Sequence, residues 1–131
     1  MDVVELKEKI INTLLNSSLV RSNLVISLGR MIRSLSKSNF IEIEGRKMFT
    51  HSNDGLALSI FKVYEPAQTK IVKQYVHEGD VVVDIGSHAG YYTLLMAQLV
   101  GKKGKVFSFE PDPLNFQLLK KNVEINRFDN V

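Results

Sequence analysis

The spacing of apolar positions changes character at about residue 39. Before it, Val3, Leu6, Ile10 and Leu14, then Leu24, Leu28, Met31 or Ile32, and Leu35, recur every three or four residues, the period of a helix. Asn16-Ser17-Ser18 separates the two runs, because short polar side chains compete for backbone partners. The pattern predicts an N-terminal unit of amphipathic helices over 1–38. Arg21, Arg30, Arg33 and Lys37 would let the second helix lie on an anionic membrane surface. Packing on its own domain or on a second copy is the plainer reading, since basic residues on helices are usually solvated.

From Phe40 the period becomes two. Residues 40–50 alternate on both sides of Glu44-Gly45-Arg46, which predicts a β-hairpin with Gly45 in a positive-φ turn. Ser52-Asn53-Asp54-Gly55 is a turn cluster. A helix is expected next, with Pro66 in its first turn, Ile71, Val72, Tyr75 and Val76 on one face, and Gly79 to end it. Val81–Ile85 reads as a strand, and residues 90–100 as a helix apolar on most faces, as burial against a sheet requires. After the loop Gly101–Gly104 comes a second strand, Val106–Phe109. Asp112 can then cap a helix that has Pro113 at its first position and Phe116, Leu119 and Val123 along one face. The order β-α-β-α predicts an α/β fold, the first half of a doubly wound parallel sheet, within a unit covering 39–131.

Composition narrows the function classes. The chain has 131 residues, 44% of them hydrophobic, and a formal charge of only +3. The basic residues are scattered, so no nucleic-acid partner is expected despite a pI near 9.2. There is no cysteine, which excludes disulfides, thiolate zinc sites and cysteine nucleophiles. His51 and His77 stand apart from any ligand cluster, so no metal is expected. No apolar run approaches the roughly 20 residues of a membrane span. Nor does a basic n-region precede an apolar block. Together these features suggest a cytoplasmic chain.

The chemistry concentrates where the first parallel strand ends. Ligands of such sheets bind at the carboxyl edge of the strands. There Asp84 closes the strand, Gly86 and Gly90 form the turn, and Glu110 ends the second strand. Glycines let a backbone approach a ligand, and the next helix presents free N–H groups. A strand-end acid can accept from both hydroxyls of a ribose. The spacing Asp-x-Gly-x-x-x-Gly lacks the third glycine of a dinucleotide fingerprint, and no P-loop pattern is present. Asp84 is poorly matched to a pyrophosphate. It suits a ligand with a positively charged amino acid moiety, which points to S-adenosylmethionine.

Asp84-Ile-Gly-Ser-His-Ala-Gly-Tyr-Tyr-Thr93 resembles the first motif of class I S-adenosylmethionine-dependent methyltransferases. Together with residues 106–113, Asn115-Phe116, residues 121–126, and the upstream Tyr64-Glu65, Thr69 and Glu78-Gly79-Asp80, it is similar to the FkbM family over roughly residues 50–131. The resemblance implies a Rossmann-like methyltransferase fold. Gly86, Ser87, His88 and Gly90 would bracket the methionine end of the cofactor. Asp84 would act on its amino group, directly or through water. Glu110 would hold the ribose hydroxyls, Pro111 and Asp112 would border the adenine, and Glu65 and Thr69 would reach the methionine moiety. The resemblance further implies an oxygen acceptor, often a hydroxyl of a sugar or small molecule. The family commonly has asparagine where this chain has His88. A plain loop histidine is a simpler reading of His88 than a general base. Tyr91 and Tyr92 can line a pocket, although packing of one or both against the sheet is the plainer expectation.

The family's sheet, as the resemblance implies, has seven strands. This chain ends at Asp129-Asn130-Val131, where a third strand would begin. The expectation is therefore a truncated or split methyltransferase, inactive as an isolated chain unless a remainder is supplied in trans. The alternative is a non-catalytic remnant or assembly module that self-associates into a homo-oligomer through its N-terminal helices and open strand edge.

Overall fold

The computed structural model describes residues 40–51, Leu58 and residues 62–131. The expected helices of 1–38 and the turn cluster at 52–55 lie outside the described residues.

The hairpin forms where the alternation places it. β1 (Ile41–Ile43) pairs antiparallel with β2 (Arg46–Met48), Ile41 opposite Met48 and Ile43 opposite Arg46. Glu44 and Gly45 both take positive φ in the turn. Ile43 and Met48 turn inward, where they meet Leu58, Ala89, Tyr91 and Leu94.

Helix α1 (Pro66–Tyr75) starts at its proline but is rotated from the expected face. Its buried residue is Thr69, with Val72 and Val76 packed on the core, whereas Ile71 and Tyr75 are exposed. The Thr69 hydroxyl donates to the Tyr64 carbonyl at 2.6 Å and lies 3.3 Å from the Tyr91 hydroxyl. That polar tether sets the helix roll, and Thr69, Val72 and Val76 make the i, i+3, i+7 inner row. The helix ends before Gly79: Val76 closes it by donating to the Val72 carbonyl. Gly79 instead donates its N–H to the Val100 carbonyl.

β3 (Val81–Ile85) and β4 (Lys105–Phe109) pair in parallel, Val81 opposite Lys105 through Ile85 opposite Phe109. A parallel pair needs a crossover, and α2 (Tyr91–Val100) supplies it. Seven of its ten residues are buried, as its all-round apolar sequence requires. Met96, Ala97 and Val100 pack with Val106 of β4 in the second core cluster. The opposite sheet face is open among the described residues. Val81, Val83, Ile85, Phe107 and Phe109 all point that way and all are exposed, Ile85 to 84%.

Asp112 caps α3 (Pro113–Asn126) as expected: its carboxylate accepts from the N–H groups of Leu114 at 3.0 Å and Asn115 at 2.9 Å. The inner row of α3 differs from the apolar reading. Leu119 and Asn122 are buried, while Phe116 is exposed. Asn122 and Asn126 do the work of a neighbouring strand. The Asn122 amide accepts from Phe49 N–H at 2.7 Å and donates to Phe49 C=O at 2.8 Å. Asn126 treats Lys47 in the same way, at 2.8 and 2.6 Å. A carboxamide carries the same donor and acceptor as a peptide group, so two asparagines one helical turn apart match Lys47 of β2 and Phe49 just beyond it, and satisfy the hairpin's outer edge.

Candidate functional site

The loop joining β3 to α2 is built on the end of β4. Gly86 N–H and Ser87 N–H both donate to the Phe109 carbonyl, at 2.9 and 3.1 Å. The Ser87 hydroxyl donates to the Asp84 carbonyl at 3.0 Å. Gly90 N–H closes the turn on the Ser87 carbonyl at 2.8 Å. Gly86 lies at φ +79°, and a Cβ added there would meet nothing within 4 Å, so the space beside this backbone is clear. Gly90, at φ +93°, is the N-cap of α2, and a Cβ there would strike Leu119 Cδ1 at 2.6 Å. One glycine clears the ligand side and the other lets α3 approach. His88 also takes positive φ, 49°, in the left-handed region where asparagine, aspartate and histidine are enriched. That shared tolerance explains how histidine occupies a position that is commonly asparagine in the resembled family.

Asp84 is fixed from behind. Thr93, fully buried in α2, donates its hydroxyl to Asp84 Oδ2 at 2.5 Å. A hydroxyl has one hydrogen, so Ser108, 2.8 Å from Thr93 Oγ1, must be the donor to Thr93. The relay Ser108–Thr93–Asp84 thereby ties β4, α2 and β3. Asp84 does not cap α2, whose N-cap residue makes no side-chain cap bond.

Glu110 joins the two strand-end loops. Its carboxylate accepts from Asp112 N–H at 2.9 Å and from His88 N–H at 2.7 Å. These bonds, Asp112's first, hold its carboxyl below the usual carboxylate range, so it stays ionised at neutral pH.

Between the hairpin and this loop lies a cleft of about 560 Å³, a size typical of small-molecule sites. Of the residues singled out from sequence, Glu65, Asp84, Gly86, Ser87 and His88 line it. Gly90, Glu110, Pro111 and Asp112 do not. Glu110 touches the cleft through His88, and Asp112 faces α3. Thr69 is buried and does not line the cleft, but its hydroxyl contacts two residues that do, the Tyr64 carbonyl and the Tyr91 hydroxyl. Tyr91 and Tyr92 both line the cleft, beyond the packing role expected of them, and Tyr91 is also part of the core. Sequence reasoning missed Met48, Thr50, Tyr64 and Leu58. The first two were assigned only to the hairpin, and Tyr64 entered only as a motif neighbour of Glu65.

The lining has two carboxylates, Glu65 and Asp84, and no lysine or arginine among the described residues. Such a cleft repels phosphate and accepts a cation. The open Cα side of Gly86, the strand-end acids and this charge pattern fit S-adenosylmethionine, which carries an ammonium and a sulfonium group and no phosphate. Fold and site together define part of a Rossmann-like class I methyltransferase fold.

The chain belongs to the TRM5/TYW2 methyltransferase domain family, whose model matches residues 57–131. It is 38% identical over 56 residues to a protein-L-isoaspartate O-methyltransferase of Methanothrix thermoacetophila, covering 43% of this chain and 27% of that protein. It is 41% identical over 59 residues to a probable cobalt-precorrin-6B C(15)-methyltransferase (decarboxylating) of Sulfurisphaera tokodaii, covering 45% and 31%. A crystal structure of a SAM-dependent methyltransferase from Aquifex aeolicus is 28% identical with a TM-score of 0.48, over 60% of this chain and 40% of that one. The matched stretch thus spans about a quarter to a third of the length of these two curated relatives. The cofactor of this family is S-adenosylmethionine, as the motifs imply. Membership of the FkbM family is narrower than these matches establish. No described helix is long and apolar enough to cross a membrane.

Proposed function

We propose that the chain binds S-adenosylmethionine in the cleft between hairpin and glycine loop and serves methyl transfer to a small-molecule or macromolecular acceptor. The observation that carries this reading is the pairing of a doubly anionic cleft with the open Cα side of Gly86. Asp84 would receive the α-ammonium group. Glu110, at the end of β4, would take the ribose hydroxyls, and Pro111 and Asp112 would border the base. Gly86 and Ser87 would pass along the methionine chain. When bound, the cofactor supplies a methyl group on a sulfonium, which a nucleophilic acceptor atom displaces. The protein's part is to orient the donor and exclude water. Within this reading, the FkbM-like motifs favour an oxygen acceptor such as a sugar or small-molecule hydroxyl. The two relatives above are named for methylation at oxygen and at carbon, so acceptor chemistry varies across this half of the fold.

Titration calorimetry with the purified chain tests the cofactor reading through Glu110. Glu110→Ala should weaken S-adenosylmethionine binding about tenfold, the value of a charged acceptor lost at a solvated site. Equal affinities of the variant and the wild type would remove Glu110 from the site.

A second reading, a self-associating module, is favoured by one observation, the open apolar face of β3 and β4. Val83 and Phe107 face each other across that pair. Val83→Thr with Phe107→Thr should then lower concentration-dependent association in sedimentation, while stability changes by only about 1 kcal/mol. A wild-type chain that stays monomeric over the same concentrations removes this reading.

A further inference from the structure

One wall of the cleft is aromatic, and the reading of Asp84, Gly86 and Glu110 gives it no task. Tyr64, Tyr91 and Tyr92 stand edge to face, with ring centroids 5.7 Å (Tyr64–Tyr91), 6.2 Å (Tyr64–Tyr92) and 5.2 Å (Tyr91–Tyr92) apart. Glu65 also lines the cleft, and its Oε2 accepts from the Tyr92 hydroxyl at 3.0 Å. Burial first, and this carboxylate as well, push the Tyr92 phenol up to about 12, so it stays a neutral donor. Glu65 is held at φ 44°, a left-handed conformation that is strained for a glutamate and that the surrounding contacts must sustain.

The cluster already meets one cation. The Arg46 guanidinium, buried beneath the hairpin, stands 5.9 Å from the centre of the Tyr91 ring. That engages Tyr91 from the core side. Tyr64, 47% exposed, and Tyr92 remain as cleft-facing rings beside a fixed carboxylate.

The two positive groups of S-adenosylmethionine need different partners. An ammonium carries N–H donors and is satisfied by acceptors such as Asp84. A sulfonium has no N–H or O–H to donate, so its charge is met by a nearby anion or by the negative face of an aromatic ring. We propose that Tyr64 and Tyr92, with Glu65, form a sulfonium-recognising wall that makes the cleft selective for the charged cofactor over its neutral thioether product. The proposal rests on the cofactor reading above. Its consequence is a cleft that holds the methyl donor and releases it once the methyl, and with it the charge, has left.

The test is calorimetric titration of the 131-residue chain with S-adenosylmethionine and, separately, S-adenosylhomocysteine. The wild type should prefer the sulfonium ligand. Tyr64→Leu should cost about five- to tenfold in affinity for S-adenosylmethionine, as expected for one partly desolvated cation–π contact, and about twofold or less for the thioether. Tyr64→Phe, which keeps the ring, should restore the preference. Equal losses for both ligands would reduce Tyr64 to a simple contact and overturn the proposal, as would no loss for either. A wild type that binds both ligands equally refutes the wall but leaves the cofactor reading standing. A wild type that binds neither overturns both.

Discussion

Replacing Asn122 with leucine should be the most destabilising conservative-sized change in the described structure. Asn122 is fully buried, and its amide serves three backbone groups: Phe49 N–H, Phe49 C=O and Ala89 C=O. Phe49 follows β2, Ala89 belongs to the glycine loop, and Asn122 is on α3, so one side chain ties hairpin, loop and helix together. Leucine fills nearly the same space yet offers no donor or acceptor. Each orphaned buried group costs about 1–3 kcal/mol, so partial relaxation still leaves a loss of about 4 kcal/mol. Asn126 makes similar bonds to Lys47 at the surface, where water can replace them. Asn126→Ala should therefore cost only about 1 kcal/mol. Urea denaturation of the two variants measures the contrast, and hydrogen exchange should show the Phe49 amide losing protection in Asn122→Leu. Similar, small losses in both variants would mean that the hairpin edge is held by something other than Asn122.

This asparagine pairing also shows where the sequence stops being informative. β3 was legible to the residue, because a β-branched run bounded by Asp80 and Gly86 has one local solution. The start of α3 was legible because Asp112-Pro113 carries its own capping chemistry. Asn122 and Asn126 sit on a helix face that hydrophobic patterning assigns to Phe116, Leu119 and Val123. Their partners are 73 and 79 residues away, and a side chain that mimics a strand leaves no periodic trace. The roll of α1 failed for a related reason. Ile71 and Tyr75 are more apolar than Thr69, yet one hydroxyl reaching the Tyr64 carbonyl and the Tyr91 hydroxyl outweighs them.

The site divides along the same line. The strand-end positions of Asp84 and Glu110 and the turn at Gly86 were legible from spacing, since these are local features, although Glu110 lies outside the cleft lining. The hairpin's contribution to the cleft, Met48 and Thr50, depends on how a unit some 35 residues upstream docks on α2 and α3. The charge character of the cleft was equally hidden. It follows from which side chains are absent from the lining among the described residues, and that is known only once the fold has chosen the lining.

Asp84→Asn should produce the largest loss of ligand binding, with little loss of stability. Asparagine has the shape of aspartate, and its amide oxygen can still accept from Thr93, so the relay from Ser108 is kept. What disappears is the negative charge at the end of β3. The remaining carboxylate of the lining, Glu65, is already engaged by Tyr92. In the proposed site Asp84 is the group that meets an ammonium, and a charged hydrogen bond is worth about 1.5–3 kcal/mol, roughly ten- to a hundredfold in affinity. The expected outcome is a loss in that range for S-adenosylmethionine in calorimetric titration, with the midpoint of thermal unfolding shifted by no more than about 3 °C. Since both S-adenosylmethionine and S-adenosylhomocysteine carry the ammonium, Asp84→Asn should weaken the two ligands alike, unlike Tyr64→Leu. An unchanged affinity for both would place the amino acid end of the cofactor elsewhere and leave Asp84 as the strand-end anchor of Thr93 alone. A loss confined to S-adenosylmethionine would reassign Asp84 from the ammonium to the sulfonium.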